Sequence, residues 1–169
     1  MGKVSDYRRF VKTAMEIGAE DAKIIEASTI VTAAWVRLKC QYGCGGYNSN
    51  ICCPPHTPGH EETRKVIDCY RKALMIQRKK AGTVTEIIVA LEHEIFLSGY
   101  YKAFGFGAGG CFLCKTCPES GCDRPYEARP GMEGCGIDVY ATARANGFPI
   151  EVVRDHGSDQ NYYGIVLIE

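Results

Sequence analysis

Three cysteines, each separated from the next by two residues, form the most chemically specific pattern in the sequence: Cys111, Cys114 and Cys117. Side chains at this spacing do not all point the same way on a helix or a strand, whereas a glycine-softened loop lets three thiolates converge on one point. Pro118 follows directly, and Cys122 comes shortly after it. This pattern is typical of loops that hold a [4Fe–4S] cluster, so it predicts an iron–sulfur site and leaves its role open.

A second group of cysteines lies in the segment 40–55, which is rich in glycine, asparagine and proline. Its members are Cys40, Cys44, Cys52 and Cys53. The composition predicts a loop without regular structure, in which backbone amides turn inward. Adjacent cysteines point in different directions, so Cys52 and Cys53 are not expected to serve the same metal. We favour Cys53 because it precedes a proline, as Cys117 does, and proline helps to turn the chain away from a cluster.

The two cysteine segments predict one or two [4Fe–4S] clusters, with two open assignments of ligands. In one, the second segment provides a complete local set: Cys111, Cys114, Cys117 and Cys122. In the other, Cys122 crosses to the first segment and completes the set of Cys40, Cys44 and Cys53, because the fourth cysteine of such a run can ligate a second cluster. Zinc is the competing metal, since Cys40 and Cys44 have the spacing of a structural zinc pair.

Two cysteines are left over. Cys69 lies on a predicted helix and is expected to pack as a small hydrophobic residue. Cys135 stands between two glycines in a turn that we expect to be exposed, as a ligand or a reactive thiol. Of the histidines near the first segment, His56 and His60 are expected to be solvated rather than ligands.

Composition limits the classes of function. The 169 residues carry 20 Lys+Arg and 20 Asp+Glu, so no basic field exists to hold a nucleic acid. No apolar run reaches the roughly 18 residues of a membrane span. The N-terminus lacks the apolar core of a signal peptide, so we expect a cytoplasmic protein. In that compartment ten cysteines indicate metal binding or catalysis rather than disulfides.

Helical and strand patterns alternate along the chain and predict one domain over residues 1–169. Helices are predicted at residues 5–18 (with Ser5 as N-cap), 57–70, 83–101 and 138–146. Strands are predicted at residues 22–27, 72–77, 103–108, 152–153 and 162–168. Residues 29–39 fit either a strand or a helical turn. We therefore expect a mixed α/β (α+β) fold, in which helices flank a single sheet and both cysteine loops follow strands at one edge.

The motifs together resemble a known family. They are Cys40-x3-Cys44, Cys53-Pro54-Pro55, Gly-Gly-Cys111-x2-Cys114-x2-Cys117, Cys122-x-Arg124-Pro125, the run 127–133 and the run 136–139. The chain is similar over nearly its whole length to small cysteine-rich proteins, found largely in anaerobic bacteria and archaea, that are described as predicted metal-binding. The resemblance implies these core ligand candidates: Cys40, Cys44, Cys53, Cys111, Cys114, Cys117 and Cys122. Cys52, Cys69 and Cys135 are less typical of the pattern.

Three functions fit these predictions. The one we favour is an electron-transfer or cluster-carrying protein whose partner is a redox protein. The second is an enzyme with an open iron that acts on a small molecule or sulfur, with four polar candidates for its pocket: Arg124, Glu127, Arg129 and Asp138. The third is a structural or interaction module stapled by zinc. No catalytic constellation stands out, so whether the protein is an enzyme stays open.

Overall fold

A computed structural model gives the fold of residues 7–155 and 157–169. Within these ranges there are five α-helices: Arg8–Glu16 (α1), Val36–Gly43 (α2), His60–Ile67 (α3), Val84–Leu97 (α4) and Val139–Ala145 (α5). The strands are Asp21–Glu26 (β1), Lys72–Arg78 (β2), Phe104–Phe106 (β3) and Tyr162–Leu167 (β4). They form one sheet in the order β1-β2-β4-β3, and every neighbouring pair is antiparallel. The predicted mixed α/β class, one sheet with flanking helices, is confirmed.

The inner strand β2 is apolar on both faces because helices cover both sides of the sheet. Leu74 and Ile76 belong to an apolar core shared with α1 and α4. Ala73 and Met75 belong to a second core, shared with α3 and α5. Since side chains alternate between the two faces of a strand, consecutive residues enter different cores. This explains why the middle of β2, residues 73–76, is uniformly apolar, and the strand predicted at residues 72–77 is confirmed.

Several predicted boundaries are wrong. Residues 152–153 lie outside any strand, and Val152 is exposed. The segment 29–39 becomes helical at its end, and α2 continues through Gly43, so the first four residues of the predicted loop 40–55 are helix. Helix α3 begins only at His60, because the backbone of Gly59 is extended (φ −74°, ψ 175°).

Two predictions fall on residues outside the described ranges: Ser5 as a helix cap and the start of the first helix before residue 7. Gly18, expected to end that helix, has a φ of +116°, a conformation in which glycine is favoured. Among the described residues, no helix is both long and apolar enough to cross a membrane.

Candidate metal centre

The cysteines lie mainly in two connections, which we call the first loop (residues 44–59, between α2 and α3) and the second loop (residues 107–132, after β3). The second loop leaves the strand at the edge of the sheet. The first loop follows a helix, so the expectation that both loops follow strands is wrong for this one. The loops meet, because a Cβ atom placed on Gly110 of the second loop would lie 3.3 Å from Sγ of Cys53 in the first.

The base of the second loop is closed by backbone contacts. Gly107 and Gly131 form a parallel bridge, and the Gly107 N–H donates to the carbonyl oxygen of Pro130 at 2.8 Å. A Cβ atom on Gly131 would lie 2.5 Å from the Gly109 carbonyl oxygen, which no real side chain tolerates. Glycine is therefore required there for the chain to return against its own start. The cysteine run is consequently presented on a loop with a fixed entrance and exit.

Above this base the second loop has little regular support. Among the described residues from 108 to 123, the backbone–backbone hydrogen bond is one turn contact, from the Gly121 N–H to the Pro118 carbonyl at 3.3 Å. Side chains add a clamp at the far end, where the Arg124 guanidinium donates to the Leu113 carbonyl at 3.0 Å. Phe112, the aromatic residue of the run, is 85% exposed. A loop with so few backbone hydrogen bonds needs a further interaction to order it.

A buried ion pair holds the exit of the second loop to helix α4. Both guanidinium nitrogens Nε and Nη2 of Arg129 reach the Glu92 carboxylate, at 2.7 and 2.6 Å. The two side chains are only 15% and 13% exposed, and Glu92 also accepts from the Gly105 N–H at 2.7 Å. Arg124 and Glu127 form a comparable pair on the surface. Arg129 is thus held by an ion pair, and it also lines a small cleft beside Cys111.

We expect Glu92→Gln to lower the free energy of unfolding by about 3 kcal/mol, because it leaves a buried guanidinium without its partner. Glu127→Gln is the matched control, since it breaks an exposed pair and should cost less than about 1 kcal/mol. Chemical denaturation of the two variants, metal-free and under reducing conditions, measures the difference. Equal losses for both would show that the ion pair of Arg129 does not stabilise the fold.

The first loop folds back on itself. The Asn48 N–H donates to the Pro54 carbonyl at 2.6 Å, and Asn48 has a left-handed φ of 59°. Its side-chain oxygen also lies 2.9 Å from Nε2 of His56. His56 therefore has a structural partner within the loop, and His60 begins α3 beside Gly136.

Two sulfur atoms of the first loop accept hydrogen bonds from N–H groups. The Gly46 N–H points at Sγ of Cys44 at 3.4 Å, and Nδ2 of Asn50 donates to Sγ of Cys53 at 3.5 Å. Cys53 also accepts from the backbone N–H of Cys111 in the second loop. Burial raises the pKa of the Cys53 thiol, and the hydrogen bond from Asn50 opposes that rise. N–H donors directed at sulfur are typical of cysteines that bind metals.

Cys52 also lies against the second loop. Its thiol is within the electrostatic range of Cys111 and Cys122, both in that loop. Burial, followed by the effect of Cys111, raises the pKa of the Cys52 thiol to about 12. Cys52 and Cys53 are only 3% and 7% exposed. The two loops therefore bury an adjacent pair of thiols between them.

The other candidate ligands are more open. Cys40 lies on α2, and its thiol is 3.9 Å from the carbonyl oxygen of Glu133; burial and then Cys44 raise its pKa. Cys114 is exposed in the neighbourhood of Arg124. Cys117 and Cys122 are half-buried. All ten cysteines are free thiols.

These thiols are not assembled around one point. Across residues 7–155 and 157–169, no three His, Cys, Asp or Glu side chains are arranged to hold a metal ion. The donor set is nevertheless rich in sulfur, which suits zinc, copper(I) and iron–sulfur clusters rather than magnesium or calcium. The predicted ligand assignments therefore stay predictions.

The two left-over cysteines are placed opposite to expectation. Cys69 is exposed and its thiol donates to the Lys65 carbonyl at 3.4 Å, so it does not pack as a core residue. Cys135 is fully buried in the core shared with α3 and α5, and burial raises its pKa to about 12. A thiol held protonated in this way is not reactive. Asp138, suggested for a pocket, is the N-cap of α5 and accepts from the Ala141 N–H at 2.9 Å.

Asn50 is a site residue that the sequence interpretation missed. Its Oδ1 accepts from the Cys52 N–H at 2.9 Å while its Nδ2 reaches Sγ of Cys53. The signal was available, because an asparagine two residues before a loop position commonly caps that backbone amide.

One family model, described as predicted metal-binding protein (DUF2284), matches residues 23–168. No match was found among curated proteins or among solved structures.

Proposed function

The chain belongs to the family of predicted metal-binding proteins just described, and we propose that it is an iron–sulfur protein that binds one or two [4Fe–4S] clusters and transfers electrons. The ligand candidates lie on α2 and in the two loops: Cys40, Cys44, Cys52, Cys53, Cys111, Cys114, Cys117 and Cys122. A bound cluster supplies one-electron redox chemistry. The protein would supply the thiolates, the N–H donors and the burial that tune it.

The observation that carries this proposal is the set of N–H groups aimed at sulfur. Sγ of Cys53 accepts from Asn50 and from the Cys111 backbone, and Sγ of Cys44 accepts from Gly46. A neutral thiol is a weak acceptor, so these donors gain most when the sulfur is a metal-bound thiolate. Gly110 supports the same interpretation, since its missing side chain lets the second loop approach Cys53.

A cluster suits the thiols better than a single zinc ion. Zinc in a structural site draws four ligands to about 2.3 Å from one point, whereas each thiolate of a cluster binds a different iron. The evenly spaced run Cys111, Cys114 and Cys117 favours a cluster for the same reason.

A redox protein is the partner that we propose. Three aromatic side chains in the second loop or on α2 are largely exposed: Tyr42, Phe112 and Tyr126. Exposed aromatic residues next to a redox centre give a partner protein apolar surface to contact. We propose that the protein acts in the cytoplasm of an anaerobe, where a cluster is protected from oxygen.

An enzyme with an open iron is the second candidate, and a small cleft favours it. The cleft has a volume of about 80 Å³ and lies beside Cys111, between α4 and the second loop. Thr85 and Glu86 of α4 contribute polar groups to its lining. A molecule of a few heavy atoms would fit there.

We expect protein prepared without oxygen, with iron and sulfide supplied, to be brown and to contain iron and acid-labile sulfide in near-equal amounts. Metal analysis and visible absorption measure this directly. Cys114→Ser should reduce both contents, because serine ligates iron poorly, while Cys69→Ser should leave them unchanged. Stoichiometric zinc without sulfide, in protein made under the same conditions, would overturn the iron–sulfur proposal in favour of a zinc module.

A further inference from the structure

The sulfur of Cys53 lies where the two loops meet. Cys53 is only 7% exposed, yet it belongs to neither of the two apolar cores that flank the sheet. A Cβ atom on Gly46 of the first loop would lie 3.5 Å from its Sγ, and one on Gly110 of the second loop would lie 3.3 Å from it. The two glycines therefore allow both loops to pack closely against this sulfur.

Two N–H groups donate to the sulfur of Cys53, one from each loop. Nδ2 of Asn50 lies 3.5 Å from Sγ, and the backbone N–H of Cys111 reaches the same atom. A neutral thiol is a weak acceptor, whereas an ionised sulfur accepts hydrogen bonds strongly. The arrangement therefore suits a Cys53 that is deprotonated, which is the state in which cysteine binds a metal.

The Asn50 amide is held in one orientation by its other contacts. Its Oδ1 accepts from the Cys52 N–H at 2.9 Å, and its Nδ2 also donates to Oγ of Ser49 at 2.9 Å. The Ser49 hydroxyl donates to the Gly46 carbonyl at 2.6 Å, so its oxygen is left to accept. Exchanging the amide nitrogen and oxygen would set two N–H donors against each other at Cys52. These contacts therefore direct an N–H, rather than an oxygen, at Sγ of Cys53.

We propose that Asn50 is a positioning residue for the metal group that Cys53 binds: its amide N–H stabilises the metal-bound thiolate and so raises the reduction potential of that group. The proposal rests on the proposed iron–sulfur function and goes beyond it by naming a residue that is not itself a ligand. Reduction adds negative charge to a cluster and its thiolates. A donor aimed at a ligand sulfur therefore stabilises the reduced state more than the oxidised state.

Asn50→Asp separates this role from a purely structural one. One carboxylate oxygen still accepts from the Cys52 N–H, but the other places a negative charge against Sγ of Cys53 where the donor was. Asn48→Asp is the matched control, because it adds the same charge to the same loop, and the Asn48 side chain contacts His56 rather than a sulfur. Asn50→Ala removes the donor and the acceptor together.

Anaerobic redox titration of the proteins loaded with iron and sulfide measures the reduction potential. We expect Asn50→Asp to lower the equilibrium constant for one-electron reduction by at least about tenfold, which corresponds to about 59 mV. Asn50→Ala should lower it by less, since it removes the donor without adding a charge. Asn48→Asp should change it by less than about threefold, because the side chain is exposed and its charge is screened by solvent.

Cobalt gives a readout that needs no cluster. The charge-transfer absorption from thiolate to Co²⁺ depends on the energy of the sulfur electrons, which an N–H donor lowers. This absorption should therefore move to longer wavelength in both Asn50 variants and stay unchanged in Asn48→Asp. Asn50→Ala should also bind Co²⁺ about tenfold more weakly, a typical effect of losing a group that orients a ligand. Circular dichroism verifies that all variants remain folded.

The outcomes separate the two proposals. If Asn50→Asp keeps the wild-type potential and cobalt absorption, Asn50 only supports the loop; if Asn50→Asp and Asn48→Asp shift equally, charge alone is responsible. Either result overturns the inference and leaves the iron–sulfur proposal intact. If the wild-type protein takes up no iron and sulfide but the cobalt absorption shifts as expected, the hydrogen bond to the metal-bound sulfur is upheld and the iron–sulfur proposal fails. A wild-type protein that binds neither overturns both.

Discussion

Removing the metal is expected to raise amide hydrogen exchange in residues 44–55 and 108–125 by at least about 100-fold, while β2 and β4 keep their protection. The second loop has one backbone turn contact between residues 108 and 123 in the described chain, and its run is largely open to solvent. Metal–thiolate bonds would replace the apolar core that is missing there. The sheet, in contrast, lies between two apolar cores whose residues come almost entirely from outside the two loops.

Hydrogen exchange measured by mass spectrometry, on metal-loaded protein and on protein treated with a chelator under reducing conditions, tests this expectation. Cys69→Ser serves as a control, since a change at an exposed thiol outside both loops should preserve the metal-dependent protection. Unchanged protection of both loops after complete metal loss would contradict the idea that metal orders them.

The metal-free protein is expected to lose stability steeply above about pH 9, and Cys135 should be a main cause. Burial raises the pKa of this thiol from 9.0 to about 12. Between these values the folded protein keeps the proton and the unfolded chain releases it, so the free energy of unfolding falls as pH rises. Below pH 9 both states hold the proton and the contribution is fully present. The expected slope is about 1.4 kcal/mol per pH unit, or about 4 kcal/mol over the whole window.

Denaturant unfolding between pH 7 and pH 11, with chelator and reductant present, measures this slope. Cys135→Ala removes the titrating group, so its curve should be flatter by about one proton, although the variant is less stable below pH 9 because it leaves a cavity. Cys52 and Tyr163, whose pKa values are also raised to about 12 by burial, contribute equally to both proteins. Parallel curves for the two proteins would show that Cys135 does not control the alkaline transition.

The sequence determined the elements whose pattern is local. The periodicity of residues 83–101 predicted a helix, and the helix α4 occupies Val84–Leu97. The apolar run in β2 predicted a buried strand, and the strand is buried because helices cover both faces of the sheet. The same reasoning failed at Val152 and Val153, because residues of high β propensity form a strand only where another strand is free to pair with them.

The sequence also predicted which residues bind metal, and the tertiary structure decided which of them lie close together. Spacing predicts that Cys111, Cys114 and Cys117 are able to converge on one point, but it does not predict which distant thiol lies near them. That proximity is set by contacts between segments far apart in the chain, here Gly110 and the Cys111 N–H of the second loop against the sulfur of Cys53 in the first.

The burial of the Cys135 and Cys69 side chains could not be predicted from the sequence for the same physical reason. Glycines on both sides of Cys135 indicated an exposed turn, but the turn is covered because its apolar neighbours Met132 and Ile137 enter the core between the sheet and α5. Cys69 looked apolar by its helical position and is exposed at the end of α3. Local composition determines what conformation a segment adopts, whereas the exposure of a side chain depends on which other segments pack over it.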